Sequence, residues 1–182
     1  MSDAYLLDTN VICTLADANR AGHAAATSRL QHVGTDFVLL PSMAVAEIEF
    51  GMALAANVRP DKREELRKFI ARFDQLPFDE SCIKPYSVIR AELWRMNATP
   101  KSGRPQSSKF KEKRPEDLCD KLTGRELGID EPDLIIASIA LAQNLILVTN
   151  DDMERVKEAA ESTFRNGNFP VQLRTENWLV SV

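Results

Sequence analysis

The sequence predicts a three-layer α/β fold, in which a central and mostly parallel β-sheet is flanked by helices. Short apolar segments typical of buried strands alternate with longer segments of helical periodicity along most of the chain. The length of 182 residues is typical of one domain, and 44% hydrophobic with 27% charged residues is an ordinary globular composition. We therefore expect residues 1–182 to form a single domain.

The first part of the chain contains two strand-helix pairs. An apolar strand at 4–7 (AYLL) ends in a polar turn and leads into an apolar-periodic helix at 11–18. A second apolar strand at 36–40 is closed by Pro41, and the segment 43–56 that follows has helical character throughout. Both pairs are typical of the units from which parallel sheets are built.

Two amphipathic helices and an unusual segment occupy the middle of the chain. One helix starts at Pro60 and runs through 62–76, the other covers 82–96, and each pairs an apolar stripe with a charged face. From about 97 to 127 the chain is rich in Pro, Ser and Lys and short of large apolar residues. We expect an exposed loop or a partly ordered insertion there.

The last part of the chain returns to alternating elements. An apolar helix at 131–143 precedes a continuous apolar strand at 144–149, which is typical of a strand buried in a parallel sheet. A helix at 154–164 and a strand at 170–174 complete the pattern. In such sheets, sites form at the carboxyl ends of the strands, so polar residues after each strand are the first candidates.

Composition excludes several classes of protein. No apolar run approaches the roughly 20 residues that a membrane span requires, and the first ten residues lack the basic region of a signal peptide. We expect a cytoplasmic protein with no membrane partner. Three cysteines, an odd number set far apart, indicate reduced thiols and no zinc or redox site.

Four acids are placed where they can meet at one edge of the predicted sheet. Asp8 ends the first strand, and Asp151 lies just past the strand at 144–149. Glu47 lies in an otherwise apolar part of a helix, and Asp133 occupies the first turn of the apolar helix after the insertion. Four carboxylates that converge repel one another unless a cation joins them, and Mg²⁺ and Mn²⁺ prefer such oxygen ligands.

Each acid also has an ordinary structural explanation. Asp133 can complement the dipole of its helix, and Asp8 and Asp151 can be turn residues. A buried Glu47 would still need a partner or a metal. Glu49, two residues on, is expected to point away into solvent.

With these residues in place, the sequence resembles a PIN domain, and more closely a VapC-type toxin of a bacterial toxin–antitoxin pair. The matching segments occur in the family's order and extend over nearly the whole chain except about 97–127. They are LLDTNVI around Asp8, AVAEIEFG around Glu47, GIDEPDLIIASIAL around Asp133, LILVTND at Asp151, and the closing LRTENW.

The resemblance implies a Mg²⁺- or Mn²⁺-dependent endoribonuclease with Asp8, Glu47, Asp133 and Asp151 as its acidic pocket. Asp8, Asp133 and Asp151 would be the direct metal ligands, and Glu47 would act through water or at a second cation. The polar side chains beside the pocket would orient the carboxylates by hydrogen bonds. They are Thr9, Asn10 and Thr149, with Asp152 as a weaker candidate acid.

The resemblance further implies a structured RNA substrate, such as tRNA or ribosomal RNA, a cognate VapB-type antitoxin and a homodimer. Apolar helical faces around Leu54 and Phe69 can supply a dimer interface or belong to the core. The alternative function is a PIN-like module that binds nucleic acid or protein without cleavage. A metal-dependent phosphatase would want a second acid two residues after Asp8, where this chain has Asn10.

Two features depart from the family's pattern. The family commonly has an aromatic residue shortly after the acid at Asp151, whereas here the sequence continues as DMER. The insertion is longer than usual, and its stretch 101–114 carries six bases against one acid in a chain of net charge −4. Its candidate RNA-binding residues are Lys109, Lys111 and Lys113, with Phe110 able to stack on an unpaired base, although a solvated loop is an equally valid interpretation.

Overall fold

The computed structural model describes residues 3–55, 59–97, 115–120, 123 and 125–180. Five strands in these ranges form one sheet, whose order is β3-β2-β1-β4-β5. All four neighbouring pairs are parallel. The strands are β1 (Tyr5–Leu7), β2 (Val38–Pro41), β3 (Asp74–Leu76), β4 (Ile146–Val148) and β5 (Arg174–Glu176).

Seven α-helices in the described part of the chain connect these strands. Helices α2, α3 and α4 each contact α1, whereas α5, α6 and α7 contact one another. Right-handed crossovers between parallel strands place these two groups on opposite faces of the sheet, which gives three layers. The helices are α1 (Thr9–Ala16), α2 (His23–Val33), α3 (Ser42–Leu54), α4 (Pro60–Ile70), α5 (Glu80–Asn97), α6 (Glu131–Ala142) and α7 (Glu154–Arg165).

The core lies at the two central strands. Every residue of β1 and β4 is buried, because both strands have neighbours on each side and helices above and below. Helix α6 is almost as deeply placed, with seven of its twelve residues buried. The three-layer fold with a parallel sheet that the sequence predicts is therefore confirmed.

Strand β3 corrects the sequence prediction, which carries the helix through residue 76. Helix α4 ends at Ile70, and Asp74–Leu76 then pair with Leu39–Pro41 of β2. Two of the three β3 residues are exposed because the strand lies at the edge of the sheet. An edge strand that buries so little lacks the apolar run by which a strand is predicted.

Strand β5 is also displaced from its predicted position. The sequence predicts a strand at 170–174, whereas the paired residues are Arg174–Glu176, opposite Ile146–Val148. These polar residues are half-buried, and Glu176 accepts hydrogen bonds from Arg29 at 3.0 Å and from Trp178 at 2.9 Å. Side-chain hydrogen bonds thus stabilise an edge strand that carries no apolar pattern.

The structure describes most of the carboxyl end of the predicted insertion. Helix α5 continues to Asn97, residues 98–114 lie outside the described ranges, and Pro115–Asp117 form a 3₁₀ turn. Cys119 then pairs with Glu126 in an antiparallel bridge. We call residues 118–120, 123 and 125–127 the rim segment. Among the helices that the structure describes, none is long and apolar enough to span a membrane.

Candidate functional site

Asp8 is held rigidly at the carboxyl end of β1. Its backbone amide donates to the carbonyl of Val148 at 2.9 Å, which joins it to the end of β4. The Thr9 amide donates to Oδ1 of Asp8 at 2.7 Å, and the Thr149 hydroxyl donates to Oδ2 at 2.8 Å. Asp8 is only 3% exposed, so these bonds compensate its burial while each oxygen keeps a free lone pair.

Asp151 lies beside Asp8, in the turn after β4. The Asn10 side-chain amide donates to Oδ2 of Asp151 at 2.7 Å, and the Asp151 backbone amide donates to the Thr149 hydroxyl at 3.0 Å. Thr149 therefore bridges the two acids, donating its proton to one and accepting from the backbone of the other. One hydroxyl group thus contacts the carboxylate of Asp8 and the backbone of Asp151, while Asn10 holds the Asp151 carboxylate.

Glu47 approaches the same place from α3. It is half-buried, and the Thr9 hydroxyl donates to its Oε2 at 2.5 Å. Thr9 thus contacts Asp8 through its backbone and Glu47 through its side chain. Glu49 points elsewhere, as the helical spacing predicts, and forms a two-bond ion pair with Arg67 on α4.

Asp133 differs from the other acids because no hydrogen bond within the described ranges offsets its burial. It lies in the first turn of α6, and its pKa is raised from 3.8 to about 7. Burial is the largest cause, followed by the negative charges of Asp8, Asp130, Asp151 and Glu47. Burial raises the pKa of Asp8 as well, although the hydrogen bonds from Thr149 and Thr9 oppose the shift.

These side chains line one open pocket of about 940 Å³. Its floor is formed by the ends of β1 and β4 with the first turn of α6. One wall carries Cys13 and Arg20, and the rim segment supplies much of another. The pocket lies where the strand order changes direction between β1 and β4, which is where ligands bind in open α/β sheets.

The potential ligand atoms in this pocket are of the chemical type that a hard divalent cation prefers. They are carboxylate oxygens, and the raised pKa of Asp133 marks a negative charge that neighbouring groups do not neutralise. Within the described ranges, no three His, Cys, Asp or Glu side chains are grouped closely enough to hold a metal ion as they stand. A cation would therefore need side-chain movements that draw the carboxylates together.

The structure brings together all the predicted site residues that lie within the described ranges. Asp8, Thr9, Asn10, Glu47, Asp133, Asp151 and Asp152 all line the pocket, and Thr149 lies behind two of them. Asp152 is exposed at the margin. The predicted RNA-binding residues Lys109, Lys111 and Lys113, and Phe110 between them, lie outside the described residues.

Several pocket residues were not predicted from the sequence. Arg20, Arg125 and Asp130 line the pocket, and only Asp130 had a visible signal, since it precedes the helix that carries Asp133. The structure also shows how the atypical turn after Asp151 packs. Met153 caps α7 in a left-handed conformation with φ of 45° and packs against the core, a position that costs a non-glycine residue some strain.

Comparisons with known proteins agree with this fold. A model of the PIN domain matches residues 5–160. No curated protein sequence matches the chain. Among solved structures, a chain of VapBC2 from Rickettsia felis, bound to a DNA fragment from their promoter, is 22% identical with a TM-score of 0.58, covering 96% of this chain and 98% of that one.

Two further structures are similar to a comparable extent. A chain of DNA-bound VapBC from Salmonella typhimurium is 20% identical with a TM-score of 0.59, covering 97% of this chain and 98% of that one. A chain of FitAcB from Neisseria gonorrhoeae is 23% identical with a TM-score of 0.59, covering 96% and 97%. At these identities the likeness shows a shared fold.

Proposed function

This chain belongs to the PIN domain family, and we propose that it is a VapC-type toxin that hydrolyses RNA with the help of Mg²⁺ or Mn²⁺. One observation carries the proposal. Asp8, Glu47, Asp133 and Asp151 come from four separate parts of the chain and line a single open pocket. Such a concentration of negative charge is costly without a cation, and metal-assisted phosphodiester cleavage makes use of one.

Asp8, Asp133 and Asp151 would hold the cation, and Glu47 would act through water or at a second one. When bound, a divalent cation activates water and neutralises the charge that develops on the phosphoryl oxygens. The chain's own contribution is to fix the ligands. Thr149 orients the Asp8 carboxylate, and the hydrogen bond from Asn10 does the same for Asp151.

Thr9 has a parallel role on the other side of the pocket. Its hydroxyl donates to Glu47, so α3 and the first turn of α1 are coupled through one short bond. Glu47 accepts this bond with one oxygen, which leaves the other oxygen available for a bound water. The site thus offers two fixed carboxylates at the strand ends and two that approach from helices.

The proposed substrate is structured RNA, such as tRNA or ribosomal RNA, in the cytoplasm. The pocket is wide and open, which suits a folded polymer better than a small metabolite. Lys109, Lys111 and Lys113 would add affinity for phosphates that does not depend on base sequence. Mapping the ends of the cleavage products would identify the RNA that is cut.

The proposed partners are a VapB-type antitoxin and a second copy of the chain. The similar chains from Rickettsia felis and Salmonella typhimurium were solved as VapBC assemblies. Leu54 on α3 is 69% exposed and Phe50 is 65% exposed, so this end of α3 presents apolar surface. Phe69 is instead half-buried and packs its ring 5.2 Å from Phe73, so it belongs largely to the core.

The test is cleavage of total bacterial RNA by the purified chain. Reactions contain Mn²⁺ or EDTA, and an Asp8→Asn variant prepared in parallel excludes a contaminating nuclease. Glu47→Gln and Glu49→Gln form a matched pair on one helix, since only the first lines the pocket. We expect discrete metal-dependent fragments from the parent and from Glu49→Gln alone. Equal cleavage by Asp8→Asn contradicts the proposal, and no cleavage by folded parent favours a binding module.

A further inference from the structure

The net negative charge around the pocket repels any polyanionic substrate. Among the described residues, nine carboxylates line the pocket, against three guanidinium groups. An RNA strand carries one negative charge per nucleotide, and one or two cations at the centre offset only part of the repulsion that it meets. The basic side chains at the pocket therefore decide how the strand is held on either side of the cation site.

One of the three arginines already forms ion pairs within the protein. Arg155 on α7 pairs with Glu158 at 2.9 Å and with Asp120 of the rim segment at 3.6 Å. The second of these contacts joins the rim segment to α7. Arg155 therefore shapes the wall and is not free to bind a ligand.

The other two arginines are exposed and have no carboxylate within ion-pair distance among the described residues. Arg20 lies in the turn between α1 and α2, where its backbone is held by bonds to Asp17 at 3.0 Å and from His23 at 3.2 Å. Arg125 lies in the rim segment, where its carbonyl accepts the Asp120 amide at 2.8 Å. Both arginines thus line the pocket from backbone that is hydrogen-bonded to its neighbours.

The two arginines stand on different walls of the pocket. Arg20 belongs to the wall formed by the α1–α4 group, and it also borders the adjoining groove beside α3 and α4. Arg125 belongs to the wall formed by the rim segment, which Arg155 ties to α7. The ends of β1 and β4, with their carboxylates, lie between these walls.

We propose that Arg20 and Arg125 each bind a backbone phosphate of the RNA, one on either side of the bond that is cut. The inference rests on the proposed function, which it deepens by assigning the groups that hold the strand. A guanidinium group presents paired donors that match two phosphate oxygens, and such charge-assisted bonds are stronger than neutral ones. The rim segment thereby acquires a role in substrate binding through Arg125.

The test measures RNA binding separately from cleavage. All variants carry Asp8→Asn, and the probe is a short fluorescein-labelled RNA hairpin followed by fluorescence anisotropy in Mg²⁺ at several salt concentrations. Arg20→Gln and Arg125→Gln are compared with Arg165→Gln, which removes the same charge from an arginine that pairs with Glu161 away from the pocket. Lysine replacements at positions 20 and 125 keep the charge.

We expect each of the two glutamine variants to weaken binding by roughly tenfold, the value of one charge-assisted hydrogen bond. The slope of log affinity against log salt should fall by about 0.7 for each phosphate that the variant no longer binds. Lysine at either position should restore most of the slope, and Arg165→Gln should leave both quantities near the parent values. Melting temperatures should be unchanged, since neither arginine side chain has an ion-pair partner among the described residues.

A parallel cleavage assay, in protein that keeps Asp8, separates the two proposals. Loss of either arginine should raise KM while kcat stays within a few-fold, as expected for residues that bind substrate. If the parent cleaves RNA but Arg20→Gln and Arg125→Gln bind like Arg165→Gln, the arginines serve a protein partner or solvent, and this inference is wrong while the proposed function stands. If the parent neither binds nor cleaves RNA, both proposals are rejected.

Discussion

The raised pKa of Asp133 makes a quantitative prediction about stability in the absence of metal. An acid whose pKa is higher in the folded protein than in the unfolded chain binds its proton more tightly when folded, so the folded state loses stability as the pH rises between the two values. For Asp133 the window runs from 3.8 to about 7. Replacing it by Asn, which never ionises, should remove this loss.

The magnitude follows from the width of that window. A difference of about 3 pKa units, at about 1.4 kcal/mol each, gives a penalty of about 4 kcal/mol once the pH exceeds 7. Because the side chain is only partly shielded from solvent, about half of this value is a realistic expectation. For a chain of this length, about 2 kcal/mol raises the melting temperature by roughly 4–8 °C.

The assay is thermal and urea unfolding in EDTA at about pH 5 and about pH 8, a range in which more than half of the penalty accumulates. Asp133→Asn should be more stable than the parent at the higher pH, and its stability should depend less on pH. Asp152→Asn is the matched control, since Asp152 lines the same pocket but is exposed. If Asp133→Asn melts no higher than the parent near pH 8 and keeps the parent's pH dependence, the reasoning is refuted.

Three further outcomes are expected. Added Mn²⁺ or Mg²⁺ should raise the melting temperature of the parent by several degrees, because a ligand at about 100 times its Kd stabilises a protein by about 2.7 kcal/mol; a flat response up to millimolar metal argues against the site. Thr149→Val should reduce cleavage by roughly 10- to 100-fold, since the hydroxyl orients Asp8; retention of full activity would show that Asp8 needs no such support. Neutralising Lys109, Lys111 and Lys113 together should weaken RNA binding and flatten its salt dependence, and unchanged affinity at low salt would remove them from the interface.

How much was predictable from the sequence depended on burial. Strands β1 and β4 are buried along their whole length and give continuous apolar runs, so both were predicted close to their observed bounds. The edge strands β3 and β5 carry polar residues that are exposed or half-buried, so β3 was not predicted and the strand predicted at 170–174 overlaps β5 only at Arg174. They form because the backbone of β2 or β4 offers a partner, which is a property of the assembled sheet.

The same distinction applies to the candidate site. Asp8 and Asp151 could be identified because parallel strands end at one edge, and Glu47 because a carboxylate is unexpected in an apolar helix. The rim segment could not be placed in this way. Its position depends on the pair between Arg155 and Asp120, which joins parts of the chain that no local pattern connects.

The carboxylates in the pocket are of two kinds, and the difference bears on how the proposed cation would bind. Asp8 receives a hydrogen bond at each oxygen and is almost completely buried, so its position is determined before any ligand arrives. Asp133 receives none from the described residues, and its charge is opposed by burial and by four neighbouring acids. In the proposed function, a cation held at the strand ends would offset the charges of these acids, so the electrostatic penalty on a charged Asp133 would be partly relieved when the cation binds.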